Sequence, residues 1–137
     1  MPQRLVGSGG IAGMTQLHQA VPLVERQHAI IELLRVRAPR RVAGAHLATA
    51  TGVSLRTVER DITRLREAGV PITIHRGPRG GYGIDARTAL PPISLTPGEA
   101  SALIASLVAV GPYTSAVAQS ALGKILDALS EEVPVPR

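Results

Sequence analysis

The chain has 137 residues, of which 45% are hydrophobic, enough for one small domain with an appendage and too many for disorder throughout. Phe, Trp and Cys are absent and Tyr occurs twice, so the core must be aliphatic. That composition also counts against single-strand binding on rows of aromatic side chains and against any disulfide framework, thiol nucleophile or thiolate metal site. The net charge of +5 is uneven, because residues 24–87 hold twelve Arg against six acidic residues, while residues 88–137 hold two basic against four.

Residues 1–22 are rich in Gly and Gln without periodicity and are expected to form a flexible tail. From Val24, apolar residues recur at Ile30, Ile31, Leu33, Leu34 and Val36, which predicts an amphipathic helix ending before Pro39. Ala43 to Thr51 predicts a second, shorter helix with Leu47 and Ala48 inward, and Gly52-Val53-Ser54 then turns the chain into a third. That third helix, with Ser54 as its N-cap and Gly69 beyond its end, is amphipathic in a particular way. Leu55, Val58, Ile62 and Leu65 fall in one arc, while Arg56, Arg60, Thr63 and Arg64 cluster on the opposite side.

Beyond Gly69, Val70 to His75 alternates Ile72 and Ile74 with Thr73 and His75 and predicts a strand. Tyr82 to Ile84 is its partner across a loop, Arg76 to Gly81, built of Gly, Pro and Arg. Short helix, glycine turn, longer helix and hairpin together predict a winged helix-turn-helix over residues 24–86. Residues 87–95, with Pro91 and Pro92, read as a linker. Thr96-Pro97-Gly98-Glu99 then supplies a capping box with Pro at the first helical position, starting a fourth helix that Gly111-Pro112 stops. A fifth, from about Ser115 to Leu129, carries Val117, Ala118, Ala121, Leu122, Ile125, Leu126 and Leu129 on one wide apolar face. The expected fold class is therefore mostly α (α+β): a winged helix-turn-helix with a two-stranded wing, followed by a helical hairpin at 96–130 and a short tail at 131–137.

The stretch VSLRTVERDITRLREAGVPITIHRGPRGGYGI, Val53 to Ile84, followed by LPPISLTPGEA, Leu90 to Ala100, resembles the WYL-type bacterial transcription regulators, the YafY-like group among DeoR-like winged helices. The resemblance covers roughly residues 24–130 and implies sequence-specific binding of duplex DNA. Family members carry a C-terminal WYL domain that senses a ligand or nucleic acid; this chain stops at Arg137, where that domain would be expected to begin. Two further departures are Ala43, where a capping Thr or Ser is usual, and Thr51, which replaces the usual Leu and puts a hydroxyl near the core.

The expected DNA-binding residues are Ser54, Arg56, Thr57, Arg60, Thr63 and Arg64 on the third helix, with Arg76 and Arg79 on the wing. Arg56, Thr57 and Arg60, nearest the N-terminal half that enters the major groove, are assigned to base edges, and Arg64 to phosphate. The competing account is a solvated charged face in which Glu59, Asp61 and Glu67 pair with these arginines at helical spacings. Asp61, on the flank of the helix, reads as a structural partner of a neighbouring Arg.

No catalytic set is legible: His18, His28, His46 and His75 form no i, i+4 pair, Ser occupies no GxSxG elbow, and GPRGGYG lacks the Lys-Ser/Thr ending of a phosphate loop. The expectations are no enzyme, no cofactor and no metal. The longest apolar stretch, Ala100 to Val110, is about half the roughly 20 residues that cross a bilayer, so no membrane partner and a cytoplasmic location are expected. The expected partners are double-stranded DNA and a second copy of the chain through residues 96–130, with any small-molecule effector unknown. The alternatives are a protein-interaction module, or a fragment of a ligand-sensing regulator whose sensor domain is missing.

Overall fold

The computed structural model describes residues 7–85, 89–111 and 115–131, with side chains described from Pro22 onward. Five helices and one hairpin succeed one another: α1 (Gly7–Arg37), α2 (Gly44–Thr51), α3 (Leu55–Glu67), β1 (Ile72–His75), β2 (Gly81–Ile84), α4 (Pro97–Val110) and α5 (Ala116–Ser130). The chain divides into two compact units, Arg26–Leu90 and a second made of Met1–Glu25 with Pro91–Arg137.

The first unit is a winged helix-turn-helix with an aliphatic core. Ile30 and Leu34 of α1, Val42, Leu47 of α2, Val58, Ile62 and Leu65 of α3 and Ile72 of β1 are buried against one another. Burying each such side chain contributes about 1.5–3 kcal/mol, enough to hold α2 and α3, which are too short to persist alone. The predicted apolar positions of α1 and α3 supply most of this cluster. Three of those positions are exposed instead: Val24 and Val36 of α1, and Leu55 at the edge of α3, where it covers Gly44 at the start of α2.

Local signals end these elements where the sequence placed them. Ala43 caps α2 without a side-chain hydrogen bond, as its missing hydroxyl requires, and Gly52 closes the helix in the left-handed region at φ 72°. The Thr51 hydroxyl, close to the core, donates back to the Leu47 carbonyl at 2.6 Å and so is not left unsatisfied. At the far end of α3, the Gly69 and Val70 amides donate to the carbonyls of Arg66 and Leu65, both at 3.0 Å, the two bonds of a Schellman ending.

The strands pair antiparallel with Ile72 opposite Ile84 and His75 opposite Gly81. Val42 adds an isolated bridge to Tyr82, each amide donating to the other's carbonyl at 2.8 Å. The connector ahead of α2 is thereby fastened to the middle of the hairpin.

Where a flexible tail is expected over 1–22, the backbone from Gly7 belongs to α1, which runs through Pro22 to Arg37. Ile11, Met14, Leu17, Val21 and Val24 recur every three or four residues, a spacing the surrounding glycines obscure. Extending a helix nucleated over 24–37 is also cheaper than starting one.

In the second unit α4 begins with the predicted capping box. The Thr96 hydroxyl accepts from the Glu99 amide at 3.1 Å, and the Glu99 carboxylate accepts from the Thr96 amide at 2.9 Å, holding that carboxyl below its ordinary pKa. Gly111 caps the other end at φ 74°, and the Ser115 hydroxyl accepts from the Ala118 amide to start α5. The two helices pack on each other. Among the described residues of the pair only Ala100 is buried, while Leu103, Val108, Val117, Leu126 and Leu129 are exposed. Pro112, expected as part of the α4 stop, and the tail beyond Glu131 lie outside the described residues.

Candidate nucleic-acid interface

The α3 sequence makes two surfaces that serve different ends. Ser54 Oγ accepts the Thr57 amide at 3.1 Å, relieving one orphan donor of the first turn, and lies 3.0 Å from the Thr57 hydroxyl. This network assigns Ser54 and the half-buried Thr57 to starting the helix. Val58, Ile62 and Leu65 then fix the inner side in the core.

On the opposite side Arg56, Arg60, Thr63 and Arg64 are exposed. Among the described residues none of the three arginines forms an ion pair, so the account in which Glu59, Asp61 and Glu67 neutralise them does not describe this surface. Thr63 donates its hydroxyl to the Glu59 carbonyl at 2.9 Å, which spends its donor on the helix and leaves oxygen lone pairs and a methyl facing outward.

Arg66, one turn from Ile62, has a different role. Its Nε donates to the Ile72 carbonyl at 2.9 Å, fastening the end of α3 to the first strand of the wing. The wing in turn carries Arg76 and Arg79 exposed in the turn between its strands. Between α3 and the wing runs an open groove of about 520 Å³, lined among others by Gly44, Leu55, Glu59, Thr63, Arg76 and Tyr82. Burial, reinforced by the nearby Glu59 carboxylate and opposed by Arg76, pushes the Tyr82 phenol above its ordinary pKa.

Asp61 stands apart from the exposed surface. Expected on the flank with a neighbouring Arg, it is 1% exposed, and its partner is Arg26 of α1, a residue absent from the sequence-based site. Arg26 Nε donates to one carboxylate oxygen and Nη2 to the other, the latter at 3.0 Å. The hydrogen bonds to Asp61 raise the Arg26 pKa further, against the opposing effect of burial. Sequence reasoning also passed over Arg40 and Arg41, two exposed cations beside Val42; their signal was the run Arg35, Arg37, Arg40, Arg41.

Among the described residues no group of His, Asp and Glu is arranged to hold a metal ion, and no helix is long and apolar enough to cross a membrane.

Residues 26–83 match the family model of an HTH domain. Over 61 residues the chain is 41% identical to a Bacillus subtilis (strain 168) protein named as an uncharacterized HTH-type transcriptional regulator, YobV. The aligned stretch covers 44% of this chain and 19% of that protein. No solved structure matches the chain.

Proposed function

We propose that the winged helix-turn-helix of residues 26–83 is the DNA-reading part of a transcription regulator, binding duplex DNA in a sequence-specific manner. The observation that carries this is the outward side of α3: three arginines without ion-pair partners among the described residues, on a helix whose other side is locked in the core. Neither an enzyme nor a purely structural helix requires that arrangement.

In this reading α3 enters the major groove. Arg56 and Arg60 meet base edges, where a guanidinium fork matches the paired acceptors of guanine, and Arg64 meets phosphate. Thr57 contributes at the entering end, and Thr63 offers its methyl. Arg76 and Arg79 of the wing touch the sugar-phosphate backbone or the minor groove, while Arg66 keeps wing and helix in fixed relation. The DNA-binding selection that tests this uses the purified chain with Arg60→Ala beside it. Wild type is expected to enrich one motif and the variant to lose preference at one position, by about 1–3 kcal/mol per altered base contact. An unchanged motif in the variant removes Arg60 from the reading surface.

The apolar residues left exposed on α4 and α5 support self-association through residues 96–130, because a two-fold operator is read best by a symmetric pair. Sedimentation at micromolar concentration is expected to give twice the 14.3 kDa chain mass, and a clean monomer overturns the dimer. Assignment to the WYL type rests on the Val53–Ile84 and Leu90–Ala100 patterns.

A further inference from the structure

Asp61 is the one charged residue buried in the core among the described residues, and it sits between Arg60, which points out, and Ile62, which points in. Its carboxylate takes two hydrogen bonds from a single guanidinium that α1 delivers from 35 residues away. Apolar contacts such as those of Val58, Ile62 and Leu65 are non-directional and by themselves leave a helix some freedom to slide or roll. A forked pair does not, since it fixes distance and plane together.

Exchanging a buried ion pair for apolar side chains of similar volume is often neutral or stabilising, so holding α3 against the core needs no such pair. What it adds is orientation. A roll of about 20° would carry side-chain tips about 5–6 Å from the helix axis through roughly 2 Å, beyond the tolerance of a bidentate base contact.

We infer that Arg26 and Asp61 act as a register pin for α3: positioning residues that fix the roll of the helix and so set operator discrimination, rather than affinity for DNA in general. The inference rests on the DNA-reading role proposed above.

The test uses the full chain with Arg26→Met and Asp61→Leu combined, and Arg26→Lys as a second variant that keeps the charge and loses the fork. Thermal melting is measured alongside binding to the selected operator and to a scrambled duplex. The double variant is expected to melt at or above wild type and to bind scrambled DNA within about twofold of it, because net charge is unchanged and the exposed arginines of α3 and the wing are untouched. Its operator preference should fall by about tenfold or more, on the scale of one or two lost base contacts. Arg26→Lys should lose part of that preference while staying folded. Wild-type preference retained by the double variant, or by Arg26→Lys if the double variant does not fold, overturns the pin. Equal losses on operator and scrambled DNA overturn it as well. A wild-type chain that prefers no sequence instead removes the DNA-reading role, and the pin with it.

Discussion

Arg26→Ala alone is expected to destabilise the helix-turn-helix unit by about 3–5 kcal/mol, because it leaves the Asp61 carboxylate buried without its cation. Domains are stable by only about 5–15 kcal/mol, and a unit of this size belongs toward the lower end. The loss should lower the melting temperature by tens of degrees or abolish the transition, as followed by circular dichroism. The Glu32–Arg35 pair, one turn apart on α1 and open to solvent, is the internal contrast: water screens it, and its removal should leave the melt in place. A shift of less than about 5 °C for Arg26→Ala would mean that Asp61 reaches water or another donor, contrary to its burial.

Gly80→Ala should act on the wing alone. A Cβ at that position would lie 2.2 Å from the His75 carbonyl oxygen and 2.8 Å from that of Gly77, and neither backbone atom can swing aside as a side-chain tip would. The turn must reorganise, at about 1–3 kcal/mol, and the two strands lose their closure at His75 and Gly81. The helical core does not depend on this turn, so a cooperative melt should persist. Operator affinity is expected to drop by roughly tenfold as Arg76 and Arg79 leave their positions. Unchanged affinity would detach the wing from DNA binding.

The parts legible in the sequence are those specified within a few residues. Ser54, Gly52, Gly69 and the Thr96–Glu99 box each act on the nearest turn, and the alternation around Ile72 and Ile74 is a property of one strand. Hence the order of helices and wing, and the side of α3 that faces out, could be read from local pattern. The partners of Asp61 and Val42 could not, since they lie 35 and 40 residues away and no local periodicity carries that distance. Leu55 shows the limit from the other direction. Helical angle puts it on the apolar arc, but its depth is set by how closely α2 approaches, and Gly44 brings that approach to the edge of α3. The upstream half of α1 escaped notice because its glycines outweighed a weak three-and-four spacing.

The double backbone bond between Val42 and Tyr82 has a mechanical corollary. A hairpin anchored only at its base would swing like a tether and could settle on DNA at a range of distances. Here the clamp falls just short of the turn, so the span left to sweep is essentially residues 76–80. In the proposed reading, the gap between what α3 touches and what the wing tip touches varies only by the sweep of that short turn, and the protein carries a ruler for the spacing of its own contacts.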